Sequence, residues 1–299
     1  MTNPPWPRLS RDELVTIIGD YYKFLVKFYI PESSLKFPPS GGWPSITPET
    51  TKGFPRSPMV IDLLKHLPYI DEKQAGQMIT HINYKCDVAD YSTMTSEQWA
   101  EDDQWHAESL KDWIEEIQAG REDLQDEDKD EGYLWFRDED RDKSADEEEN
   151  WFNGDEEEDM KIENMVVLAT GYESGGLTLI LDVFKGTIHE DQIRCGGLQG
   201  EKSVEHYFDN LKCKLEKLEI IPIPGDADHE GDFWEGAKAI PMEVVFDGSV
   251  TFEDDDDDVR ECQKIYKSFG WPGDAYRKEE AVAAIQAYVR RAEAREQAK

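Results

Sequence analysis

Basic residues are scarce in this chain: 33 Lys and Arg stand against 67 Asp and Glu over 299 residues, a formal net charge of -34. Such a field repels a phosphate backbone, which makes free nucleic acid a poor partner. Long apolar runs are missing as well. No stretch approaches the roughly 18 apolar residues that span a bilayer, so no membrane partner is expected. The opening MTNPPWPRLSRDE lacks the apolar segment of a signal peptide. No N-x-[ST] sequon occurs, and together these absences lead us to expect a soluble protein of the cytosol or nucleus. Cysteine is sparse: Cys86, Cys195, Cys213 and Cys262 are far apart, with no C-x-x-C and no Cys/His spacing of a zinc site. Buried free thiols are the expectation, since nothing points to an oxidising compartment.

What the chain has in abundance is acid in one place. Between Glu122 and Asp159, a 38-residue stretch, twenty acidic residues face four basic ones. Such a tract is expected to be solvated and flexible. The chain as a whole is too aromatic for general disorder, with nine Trp, twelve Tyr and twelve Phe. An α+β body interrupted by an acidic, flexible insertion at 121–160 is therefore expected. Within the insertion, Tyr133-Leu134-Trp135-Phe136 and Trp151-Phe152 are apolar islands that could dock on the body or be read by a partner.

The spacing predicts several elements. Ser10 and Glu13 have capping-box spacing, and Leu14, Ile17, Ile18, Tyr21, Tyr22, Leu25 and Phe28 then follow a helical stripe up to Pro31. The proline- and glycine-rich stretch from Phe37 to Pro58 reads as loop. Ser57 and Pro58 then read as N-cap and N1 of a short helix ended by Pro68. Thr95 and Gln98 open another helix, carrying Trp99, His106, Leu110, Trp113, Ile114 and Ile117. After Met160 the pattern changes to strands at Met165–Leu168, Leu177–Leu181 and Thr187–His189. Ser203 caps a helix with Val204, Tyr207, Phe208, Leu211 and Leu215 on one face. An edge strand, marked by its proline, follows at Glu219–Ile223. Two helices, around Val259–Phe269 and Val282–Val289, close the chain. The fold class is thus α+β, a mixed sheet packed with helices, with helical N- and C-terminal segments, assembled as one domain over 1–299.

Sites of chemistry are hard to find. Gly171-Tyr172-Glu173-Ser174-Gly175-Gly176 has the glycine content of a phosphate loop, but it lacks the Lys-Ser/Thr ending and runs into a strand. Ser174 is no nucleophile elbow, because Tyr172 stands where Gly is needed. His189-Glu190 starts like a zincin motif and fails at Ile193. Asp226, Asp228, Glu230 and Gly231 open like an EF-hand loop, but Ala237 replaces the twelfth-position Glu. No catalytic residue, cofactor or metal ligand is assigned, and an enzyme is not expected. Thr251, ahead of Glu253–Asp258, and Ser144 have the acidic downstream context of kinase sites.

Six segments carry a family resemblance. They are Tyr21-Tyr22-Lys23-Phe24-Leu25, Gly41-Gly42-Trp43-Pro44, Leu63 through Ile70, Leu179-Ile180-Leu181-Asp182 with Gly186, Val204 through Phe208, and Ile265-Tyr266 to Gly270-Trp271-Pro272. Together they resemble the SUKH superfamily, the Knr4/Smi1-like group in its filamentous-fungal form, over most of the chain except the acidic insert. The resemblance implies an α+β fold used as a protein-binding scaffold, of the immunity or cell-wall and signalling kind, without catalytic residues. The charge suits a basic protein partner. Trp43, Trp135, Trp151 and Trp234 are the candidate aromatic contacts. Two alternatives stay open. One is a small-molecule binder or auxiliary enzyme with a pocket among the loops Gly171–Gly176 and Asp226–Gly236; the other is an acidic decoy or chaperone for basic proteins.

Overall fold

The computed structural model describes residues 8–71, 80–104, 107–108, 110–111, 161–172, 175–193, 197–225, 231–235 and 255–297. The 121–160 insertion lies outside these, and with it Trp135, Trp151 and Ser144; Thr251 and Cys195 lie outside them too.

Helix α1 (Arg11–Phe28) starts where the capping box places it: the Ser10 side chain accepts from the Glu13 N–H, and the Glu13 carboxylate accepts from the Ser10 N–H at 2.7 Å. These bonds to Ser10 also hold the Glu13 carboxyl below its ordinary range. Leu14, Ile18, Tyr21, Tyr22, Leu25 and Phe28 are buried along its inner face. Helix α2 (Pro58–His66) is capped by Ser57, with proline in the first turn where its missing N–H costs nothing. Helix α3 covers 96–104 and continues at the described residues 107–108 and 110–111. Thr95 and Gln98 cap it reciprocally, the Thr95 N–H on Gln98 Oε1 (2.9 Å) and the Gln98 N–H on Thr95 Oγ1 (3.2 Å). Helix α4 (Val204–Lys217) buries all five residues of the expected stripe, and α5 (Asp255–Ser268) and α6 (Lys278–Gln297) close the chain.

Five strands make the main sheet: β3 (Cys86–Val88), β4 (Met165–Gly171), β5 (Leu177–Asp182), β6 (Thr187–Gln192) and β7 (Gly197–Ser203), in that order. Two small sheets pair β1 (Leu35–Lys36) with β2 (Tyr69–Ile70) and β8 (Ile220–Ile223) with β9 (Asp232–Glu235). Every one of these ladders is antiparallel. The acidic insertion falls between α3 and β4, so β3 and β4 are sheet neighbours despite the long stretch of chain between them.

Continuous apolar runs in β4 and β5 mean that both sheet faces are covered. On one face Val166, Leu168, Leu179 and Leu181 join the main core with α1 and α4; on the other, Met165, Val167 and Ile180 form a smaller cluster with Phe54 and Leu110. The main core draws on both halves of the chain. Tyr21 of α1 meets Phe208 of α4 at 4.7 Å between ring centroids, and Phe28 stacks on Trp271 at 3.7 Å and 7°. Hydrogen bonds from Tyr276 Oη to Phe28 O (3.0 Å) and from Trp271 Nε1 to Leu215 O (3.1 Å) tie the C-terminal helices to α1 and α4.

The expected α+β class, with helical segments at both ends, is what the structure shows. Strands β1, β2, β3 and β9 lie outside the expected elements, and three further details differ. Strand β6 runs on to Gln192, beyond His189. Strand β7 forms from a polar, glycine-containing stretch, because pairing with β6 supplies its ladder whatever its propensity. Cys213 is exposed rather than buried, since it sits on the outer face of α4.

Candidate functional site

The glycine-rich turn between β4 and β5 is packed backbone against backbone. Among the described residues, three N–H groups at this turn donate within the fold: Tyr172 to Lys85 O (3.1 Å), Gly175 to Ile193 O (2.9 Å) and Leu177 to Tyr84 O (3.4 Å). A Cβ on Gly176 would lie 2.2 Å from Tyr172 O. These three donors are spent within the fold and are not free to cradle a phosphate.

A histidine meets a described residue of each of the two loops that could form a pocket. The His81 ring lies 5.2 Å from that of Tyr172 and 6.3 Å from that of Phe233 on β9. His81 Nε2 is 3.1 Å from Asp87 Oδ1, while its Nδ1 is buried without a hydrogen-bond partner among the described residues. Tyr21 of α1 and Tyr29, its C-cap, hold this segment by its carbonyls, Tyr29 Oη donating to His81 O and Tyr21 Oη to Ile82 O, each at 2.5 Å. Nothing in the local sequence marks His81, because its neighbours come from distant segments.

Beside it, Tyr207 Oη donates to Glu190 Oε1 (2.6 Å) and accepts from Asn83 Nδ2 (2.8 Å), with Lys202 Nζ 3.8 Å from Glu190 Oε2. Burial, reinforced by the Glu190 charge, pushes the Tyr207 phenol well above its ordinary value. It is therefore a neutral donor, fixing the α4 start to β6.

On the second sheet face, Thr187 Oγ1 donates to Glu201 Oε1 (3.0 Å) and lies 3.5 Å from His189 Nε2. The residue types suggest a nucleophile and base. However, the hydroxyl proton already goes to Glu201, and Thr187 is fully buried, so no substrate carbonyl could reach it. Asp182, also buried, accepts from the Phe184 and Lys185 N–H groups (2.8 and 3.1 Å) and closes the β5–β6 turn, in which Gly186 takes a positive φ of 71°. Burial raises the Asp182 carboxyl, with those two bonds and the Lys185 charge opposing. The L-D-x-x-x-G signature is thus a turn device.

The third polar centre is Arg56, whose side chain is 4% exposed and ion-pairs with Asp103 at 2.6 Å and Asp102 at 3.4 Å. A small cavity of about 10 Å³ lies next to it, lined by Phe54, Val60, Leu110 and Met165 among others. That is below the roughly 300–1,000 Å³ of ligand pockets.

Burial pushes the Cys86 thiol well above its ordinary value and the Cys262 thiol up to about 12, the reverse of nucleophile activation. Among the described residues no group of three or more His, Cys, Asp or Glu is placed to hold a metal ion. Nor, among them, is any helix long and apolar enough to cross a membrane. Of the candidate contact residues, Trp43 is half-buried and donates from Nε1 to Leu67 O (2.8 Å), and Trp234 is half-buried on β9, opposite Ile221. Both help to pack the body; Trp135 and Trp151 fall outside the described residues. Comparison with known proteins finds no matching family model, no matching curated protein and no matching solved structure.

Proposed function

We propose that this chain is a non-enzymatic protein-binding scaffold of the SUKH kind, with a basic protein as partner and the acidic insertion steering the encounter. The observation that carries this reading is the placement of charge. Twenty acids against four bases are inserted between α3 and β4 of a body whose cores draw on sequence from both sides of the insertion. A field concentrated in this way raises the encounter rate with a positive surface, and a folded body beside it can supply the specific contacts. Internal hydrogen bonding of the glycine-rich turn and burial of Thr187 favour this reading over a loop pocket or a hydrolase site.

Capture from native extract at moderate salt tests it, using the full chain and a form lacking Glu122–Asp159. One specific basic protein retained by both forms is the expected result. Many basic proteins, all lost on deletion, would instead identify an acidic decoy. Failure of either form to retain a protein while folded, with a metabolite raising the melting temperature, would move the function to a pocket.

A further inference from the structure

The two stems of the acidic insertion are gripped by one short segment, Thr51 to Ser57. On the incoming side, Arg56 Nη1 donates to Asp103 Oδ1 (2.6 Å) and to Thr51 O (3.3 Å), and Nη2 donates to Asp102 Oδ2 (3.4 Å). Its guanidinium carbon lies 5.0 Å from the Trp99 ring centroid and 5.1 Å from that of Phe54. Gly53 fits closely against the same helix, since a Cβ there would lie 2.2 Å from Asp103 Oδ2. On the outgoing side, the Ser57 N–H donates to Glu163 O at 2.7 Å. Phe54 completes the grip: it clusters with Leu110 of α3 and Met165 of β4, and Ile162 packs against that cluster.

We propose that Thr51–Ser57 is a clamp closing the base of the acidic insertion, and that Arg56 is the pin that keeps the incoming stem α3 docked. The two sides are held differently. The outgoing stem hangs on a backbone hydrogen bond and on packing, neither of which needs a charge. The incoming stem depends on a buried guanidinium facing Asp103, whose side chain is only 7% exposed. Without that guanidinium the Asp103 carboxylate loses its counter-charge, and undocking α3 becomes the way for it to reach water. Lysine in place of Arg56 keeps the charge but not the planar fork that serves Thr51, Asp102 and Asp103 together. The consequence for function rests on the steering reading: a closed base fixes where the acidic field leaves the body.

Native-state hydrogen exchange on the full chain tests the clamp. In Arg56→Met, amides 96–104 should exchange at least about tenfold faster, while those of α1, α4 and β4–β6 keep their native rates. Adding Asp103→Asn should restore part of the lost protection. Arg56→Lys, which retains the charge and disturbs folding least, should show the same local pattern at about threefold. Unchanged protection of 96–104 in Arg56→Lys and Arg56→Met, or a uniform loss across α1, α3 and α4, would overturn the proposal. None of these outcomes bears on steering, which fails separately if association with a basic partner proves independent of salt.

Discussion

Trp271→Ala is expected to lower the free energy of unfolding by about 4 kcal/mol, within the range for emptying a packed aromatic site. Trp271 is 4% exposed, stacks on Phe28 of α1, meets Phe24 and Tyr276 edge-on, and bonds the α4 carbonyl of Leu215. One side chain thus joins α1, α4 and the link between α5 and α6. Its removal opens a cavity in the main core and takes away one of the two hydrogen bonds to the Leu215 carbonyl, which keeps the Leu218 N–H. At about 2–4 °C per kcal/mol, the midpoint of thermal unfolding should fall by about 10 °C. Urea titration followed by circular dichroism reads the change. Trp271→Phe keeps most of the stack and loses the Leu215 bond, so its cost should lie between the two. A loss below about 1 kcal/mol for alanine would mean that the C-terminal helices do not share a core with α1.

Gly176→Ala should cost about 3 kcal/mol, by the arithmetic of overpacking where backbone has to yield. The new methyl would meet Tyr172 O at 2.2 Å, Tyr172 N at 2.7 Å and Lys85 O at 2.8 Å, all backbone atoms. No side chain can swing aside, so the β4–β5 turn must move away from Tyr84 and Lys85 and break the hydrogen bonds that Leu177 and Tyr172 donate to their carbonyls. Gly41→Ala is the control, since a Cβ there meets nothing within 4 Å. That change should be neutral within about 0.5 kcal/mol. Equal stability of the two variants in a thermal melt would show that the turn has room for a methyl group and contradict this packing.

Much of the frame could be read from local chemistry. Ser10 with Glu13, Ser57 with Pro58, and Ser203 ahead of the Val204–Leu215 stripe each place a helix start, because a cap and an apolar period are local properties. The strands β4 and β5 were legible for the same reason, as apolar runs between glycines. What could not be read depends on distant partners. Strand β7 has no apolar alternation and exists through its ladder with β6. Arg56 reads as a loop charge until Asp102 and Asp103 are brought to it, and His81 as an ordinary polar residue until Tyr172 and Phe233 close on it. Among the candidate contacts, Trp43 looked available in a proline-rich loop, yet its indole N–H is committed to Leu67 O.

The central claim, that a folded body recognises a basic protein while the acidic insertion steers it, is tested most directly by association kinetics with the captured partner. Rates would be measured at low and moderate salt for the native chain and for a form with half the acids between Asp126 and Asp159 changed to amides. The account predicts that the native association rate falls at least about tenfold with salt, while the neutralised form is slow and nearly flat, with similar dissociation rates for both. Superposable association rates at low salt would contradict it.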